Sequence, residues 1–337
     1  MGVAKSGWGG MLKRSLKVIG YLLGAILVLL ISVSLLLQSQ WGQDILKDQA
    51  TRYLERRLKT RVSIGALRIK WLSEIEVHDV VLEDRQQRKL LELGLLHAKL
   101  RTLDLISGQL NVSEVLAEDL TIRLHRRPGD PDFNFQFISD AFKTGAGETR
   151  PSTKDTSSGF AYHVGSVALA LVSFLMQDGW TGTDVDMHLR QLDLKPREID
   201  PDKLKFGLGM LALDSARLVL STYAGTAPRD TVRSEGAMPW LDADQLKLSH
   251  IDLSYADSSS PFFLHTVVGE LRIDQVTADL TRKDLRAGQL LLADHLSNIR
   301  TRTSRAQTAK QPSPAIRTEP YKFSVDGIRV VNTAFTY

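Results

Sequence analysis

Leu246-Lys247-Leu248-Ser249-His250-Ile251-Asp252-Leu253 (LKLSHIDL) sets two apolar alternations on either side of a polar pair. Period-two alternation marks a half-buried strand, because successive side chains point to opposite faces. Leu246 and Leu248 differ in parity from Ile251 and Leu253, so in an ideal strand the two halves would face opposite sides. A β-bulge or bend at Ser249-His250 returns the second half to the face of the first.

The same spacing recurs at Ile75/Val77/Val80/Leu82, Leu110/Val112/Val115/Ala117, Tyr162/Val164/Val167/Leu169, Leu271/Ile273/Val276/Ala278 and Phe323/Val325/Ile328/Val330. Bends are expected at His78-Asp79, Ser113-Glu114, Gly165-Ser166, Asp274-Gln275 and Asp326-Gly327. The irregular intervals between copies argue for a recurring structural unit without a fixed-length repeat. Short strands succeed one another from Arg61 onward, with Phe137 to Phe142 (FISDAF) as a candidate helical turn. The spacing therefore predicts a mainly β domain over 61–337: a long, curved sheet with one apolar and one polar face. Such a sheet hides its apolar face in a closed sandwich or barrel, or curls into an open trough; the pattern alone does not separate the two. Stretches 143–159, 223–238 and 300–320 are rich in Gly, Ser, Thr or Pro and read as mobile loops within this domain, since the strand grammar resumes after each.

Ahead of the β region, Val18 to Leu37 contains no charged residue. Twenty helical residues span about 30 Å, the thickness of a bilayer's hydrocarbon core. Lys5, Lys13, Arg14 and Lys17 precede it, which makes 1–17 a basic cytoplasmic tail and places the bulk of the chain across the membrane. The run is longer than a signal-peptide core and ends without a convincing small-x-small cleavage site, so it reads as an uncleaved anchor. Tyr21 and Trp41 suit the two interfacial belts, and Gly20/Gly24 form a GxxxG step. Residues 41–59 follow as an amphipathic helix: Trp41, Ile45, Leu46, Tyr53, Leu54 and Leu58 recur at helical steps, while Arg52, Arg56, Arg57 and Lys59 interleave. These four cations suit anionic headgroups at a membrane surface; a helix capping the folded domain with its charges solvated fits equally well.

The net charge of +4 comes from the N-terminal tail alone, leaving 39 basic against 39 acidic residues in the remainder. That balance argues against a nucleic-acid partner. Absence of cysteine excludes disulfides, thiol catalysis and Cys-based zinc sites. Signs of enzymatic chemistry are poor. The eight histidines (His78, His97, His125, His163, His188, His250, His265 and His295) include no HExxH and no pair four residues apart, so no metal is expected. Gly207-Leu208-Gly209 lacks the third glycine of a dinucleotide site, and there is no Walker A lysine or GxSxG elbow. Asp184 and Asp186 share a strand face, as paired carboxylates would, but fit a polar-out strand. Asn111-Val112-Ser113 matches a sequon that matters only in a secreted eukaryotic chain. Neither enzymatic activity nor a cofactor is expected.

An N-terminal anchor and short helix, then Tyr53 to Ile64 (YLERRLKTRVSI) and Val77 to Asp84 (VHDVVLED), resemble the start of TamB and the wider AsmA-like proteins of Gram-negative envelopes. Phe133 to Phe142 (FNFQFISDAF) is similar to TamB-type proteins of the Bacteroidota. The resemblance covers roughly residues 10–260. It implies a β-taco groove of bridge-like lipid-transfer architecture, anchored in the inner membrane with its bulk in the periplasm. It also implies phospholipid movement toward the outer membrane, or assembly of outer-membrane proteins with an Omp85-type partner. TamB proteins are longer and engage that partner through a C-terminal domain, whereas this chain stops at Ala334-Phe335-Thr336-Tyr337 within a strand-like run; it reads as an N-terminal piece or an abbreviated relative. The expected lining of the groove is the apolar set of the repeats, and sixteen to twenty strands at ~4.8 Å each would make it roughly 75 to 95 Å long.

Overall fold

The computed structural model describes residues 39–70, 73–101, 111–143, 163–200, 204–227, 240–259, 262–301 and 321–337. The proposed anchor, Val18 to Leu37, lies outside these residues, as do Leu110 and Tyr162 of the repeats. The chain begins with helix α1 (Gln40–Leu58), followed by β1 (Val62–Lys70), β2 (Glu74–Glu83), β3 (Lys89–Leu100), β4 (Asn111–Arg126) and helix α2 (Gln136–Lys143). After these come β5 (His163–Val164), β6 (Val167–Asp178), β7 (Thr183–Asp200), β8 (Lys205–Thr222), β9 (Trp240–Asp257), β10 (Phe262–Asp279), β11 (Asp284–Thr301) and β12 (Lys322–Thr336).

All strands join one unclosed sheet in the order β1-β2-β3-β4-β6-β7-β8-β9-β10-β11-β12, with β5 beside β4. Eleven strands in line span about 50 Å across the sheet at ~4.8 Å per step, fewer and shorter than the sixteen to twenty expected. Neighbours along this line are antiparallel except at β4/β6, β8/β9 and β11/β12, and the short β5 is also parallel to β4. A parallel pair needs a return connection as long as the strand itself. The three polar stretches fall at these three returns. Two of their boundaries shift: Lys143 ends α2, and Arg300 and Thr301 belong to β11, paired with Phe263 and Phe262.

The expected bends resolve into two lines that cross the sheet. Along the first, one residue per strand drops out of the ladder: Gly65, Asp79, Gly94, Asp119, Leu171, Arg190, Ser215, His250, Gly269, Asp294 and Asn332. Asp79, Asp119, Leu171, Ser215, His250, Asp294 and Asn332 are left-handed, with φ between 49° and 57°. These seven all lie on strands running in one direction. The four opposed strands carry Gly65, Gly94, Arg190 and Gly269 without positive φ. Strand polarity thus decides which backbone conformation turns the chain the same way. Glycine suits the opposed strands because a Cβ at Gly65, Gly94 or Gly269 would lie 2.8, 2.9 or 2.6 Å from the Cβ of Asp79, Asp119 or Asp294.

A second line lies six residues away, through Ser113, Gly165, Gly209, Asp244, Gln275, Gly288 and Asp326. The repeats on β2 and β9 straddle the first line; those on β4, β5/β6, β10 and β12 straddle the second. A bulge adds a residue to one strand only. The first line is instead a crease matched on both partners, so register survives it.

Ser39 caps α1, its side chain accepting the Gly42 N–H at 3.1 Å, and Lys59 closes the helix in a left-handed conformation with its N–H on the Glu55 carbonyl at 2.8 Å. Leu58 of α1 and Phe137 of α2 form a buried cluster with Val62 and Leu90. Among the described residues, these two helices pack at the β1–β4 end, and no helix is long and apolar enough to cross a membrane.

Candidate functional site

The register turns the repeats into continuous apolar rows, because residues directly opposite one another share a face. One row passes through Leu67, Val77, Leu96, Ala117, Leu169, Leu192, Leu213, Leu248, Leu271, Leu292 and Val330. Ile75, Val115, Val167, Leu246, Ile273 and Ile328 belong to the next row, toward the second crease. Across the first crease lies a row with Val80, Val172, Leu189, Ala216, Ile251 and Val268, and beyond it one with Leu82 and Leu253. Val172, Leu189 and Ala216 are buried against Leu169, Leu192 and Leu213 from the other side of the crease. That contact places both halves on one face and folds the sheet toward it. Val112 pairs with Val164 beyond the second crease, and Val276 and Val325 extend that part of the face.

The described apolar positions of the repeats from Ile75 to Val276 are half-buried, with few buried positions among them, whereas on β12 Phe323, Ile328 and Val330 are 73%, 64% and 53% exposed. Sequence reasoning missed one interruption. On β10–β12 the rows across the first crease pass through Thr266, His295, Ser297 and Thr333. His295 Nε2 lies 3.0 Å from Thr266 Oγ1 and 2.8 Å from Ser297 Oγ, while its Nδ1 is buried without a partner.

Polar residues occupy the other face. Asp214 sits between His250 Nδ1, 2.9 Å away, and the Arg190 guanidinium, and these two partners hold its carboxyl at about 2. Arg197 grips Asp242 and Asp244 at 2.7 and 2.5 Å. A shallow cavity of about 730 Å³ lies at the crease, lined by His188, Arg190, Arg217 and His250 together with the crease neighbours Val172, Leu189 and Ala216. Asp184 and Asp186 do not act as a pair: Asp184 accepts the Tyr223 hydroxyl at 3.0 Å, and Asp186 faces His188 at 3.0 Å. Among the described residues, no cluster of His, Asp and Glu could hold a metal ion.

Arg52, Arg56, Arg57 and Lys59 line α1 and its C-cap. The packing of this helix is that of the domain-capping reading. Leu54 and Leu58 pack on the sheet, while Trp41 and Tyr53 are 65% and 56% exposed. Beside the last turn a cavity of about 510 Å³ is lined by Arg56, Arg57, Lys59, Arg85, Leu58, Phe137, Asp140 and Ala141. Arg85 comes from the β2–β3 turn, which the buried Asp84 builds by accepting the N–H groups of Gln86 and Arg88 at 2.8 and 3.0 Å. Burial opposes the Asp84 charge, but these donors hold its carboxyl below the usual range. Arg85 carried no helical or strand periodicity that could have tied it to α1.

No protein-family model matches this chain, and no curated protein matches it.

Proposed function

We propose that this protein is a non-catalytic conduit that carries phospholipid acyl chains along the creased apolar face, tethered to the inner membrane through Val18 to Leu37 and directed toward the outer membrane. One observation carries this reading: apolar rows run strand after strand across the sheet, and among the described residues no second layer covers them beyond β4. Moving an acyl chain of about sixteen carbons through water costs on the order of 12 kcal/mol at about 0.8 kcal/mol per methylene. A continuous lining removes most of that barrier, and the polar loops at the strand ends solvate the headgroup. The resemblance to TamB and AsmA-like proteins supports the same architecture, a β-taco groove in the periplasm.

Ile251→Asp tests the proposal. Ile251 pairs with Ala216 and Val268 beside the first crease. On an open wall the carboxylate is solvated: the protein keeps its strand content and melting temperature within a few degrees, while lipid transfer between vesicles falls. Loss of the fold would mean a filled core, and unchanged transfer would mean that lipid does not pass this wall.

A second reading, a scaffold for outer-membrane proteins acting with an Omp85-type partner, draws on the β12 edge. Among the described residues β12 pairs with β11 alone, and Phe323, Ile328, Val330 and Phe335 are exposed along it, as strand addition requires.

A further inference from the structure

The cavity between α1, α2 and the β2–β3 turn joins four cations from two separate segments, Arg56, Arg57 and Lys59 with Arg85, against the single carboxylate of Asp140. Two of the guanidiniums are held in place by aromatic rings: Arg57 lies 5.8 Å from the Phe142 centroid and Arg85 5.5 Å from that of Phe137. Among the described residues none of the four cations is engaged in an ion pair. Arg56 donates its Nε–H to the Arg52 carbonyl at 3.1 Å, which fixes its stem beside the cavity that it lines. The floor is shut, because Leu58 and Phe137 are only 5% and 4% exposed.

We infer that this cradle binds the phosphoryl headgroup of an anionic phospholipid. Guanidinium groups match phosphate oxygens with paired donors, and an ammonium adds a mobile point charge. The sealed floor admits a headgroup and turns away an acyl chain, so the lipid tails stay outside the cradle. The position fits that ligand: α1 follows directly on the proposed anchor, and its exposed Trp41 and Tyr53 are side chains suited to a lipid interface. The inference rests on the membrane-tethered reading above and adds a residue, Arg85, that lies outside the helix.

The full chain in neutral detergent micelles is titrated with dihexanoyl phosphatidylglycerol, dihexanoyl phosphatidylcholine and inorganic phosphate, with binding read by ³¹P NMR. Phosphatidylglycerol is expected to bind at least tenfold more tightly than the other two. Arg57→Gln/Arg85→Gln should weaken it about thirtyfold, in keeping with the loss of two basic residues at a lipid surface. Lys47→Gln, on α1 but outside the cavity and paired with Asp44, should leave it within twofold, and Arg57→Lys/Arg85→Lys should restore most of the affinity if the fold is sound. Equal weakening by Lys47→Gln would reduce the cradle to general helix charge and overturn the inference. Equal binding of phosphatidylcholine or of inorganic phosphate would overturn it as well. A photo-crosslinker at Ile251 in the glutamine double variant keeps the two claims apart: acyl capture there, with headgroup affinity unchanged by the substitutions, sinks the cradle and leaves the conduit standing.

Discussion

Gly94→Ala tests the crease. A Cβ at Gly94 would meet Asp119 Cβ at 2.9 Å, closer than real Cβ contacts come, and its Oδ2 at a tight 3.2 Å. Asp119 is itself fixed by a left-handed backbone at φ 55°, so it has little freedom to retreat. Overpacking of this kind costs about 1–3 kcal/mol. For a chain of this size each kcal/mol moves the melting temperature by about 2 °C, giving an expected drop of roughly 2–6 °C. Asp119→Gly relieves both terms, because it removes the clashing Cβ and a left-handed non-glycine residue that costs about 1 kcal/mol. The double variant Gly94→Ala/Asp119→Gly should therefore recover most of the loss, with a coupling of about 1–2 kcal/mol. Gly207→Ala supplies the control, since its nearest neighbour would be the Glu198 carbonyl at 3.4 Å, and it should be neutral or slightly stabilising. Thermal unfolding of the full chain by circular dichroism reads the wild type, both single variants, the double variant and the Gly207→Ala control. If Gly94→Ala is as benign as Gly207→Ala, or if Asp119→Gly fails to rescue it, the Gly–Asp pairing does not build the crease.

Two further outcomes follow from buried side chains. Asp178 is 3% exposed at the end of β6; burial opposes its charge, but the Arg126 guanidinium and the Thr181 hydroxyl and N–H hold its carboxyl at about 2. A depressed folded value gives stability that is complete above the ordinary carboxylate range and lost as pH falls from about 4 to about 2, worth about 2 kcal/mol here. Asp178→Asn should be less stable by about that amount at neutral pH and should lack this acid-dependent step in urea titrations. Phe137→Ala should free α2 from the sheet at a cost of about 3–5 kcal/mol, seen as faster amide exchange confined to α2 and the end of α1; exchange unchanged there would show that the ring does not hold the helix.

Much of the sheet was legible in the residues. The eight-residue grammar anticipated the alternation along the described strands because that alternation is local, and the bends announced themselves as paired polar residues such as His78-Asp79 and Ser249-His250. That these bends fall on two lines, the first crossing the sheet from β1 to β12, was not legible, since alignment depends on register between strands that far apart. Leu171 shows the limit: an apolar residue in an apolar run gives no hint of a left-handed backbone, which its place between Asp119 and Arg190 imposes. The polar cluster at His295 escaped for the same reason, since Thr266 meets His295 and Ser297 only across the β10–β11 pairing. Arg85 joined the α1 cations through a turn built by Asp84, a tertiary arrangement without a sequence period.

A photo-reactive residue at Ile251, compared with the same probe at Asp252 on the opposite face, tests the conduit most directly when irradiated in cells and followed by mass spectrometry. The account predicts lipid adducts at Ile251 and none at Asp252. Equal, lipid-free labelling at both positions would contradict it.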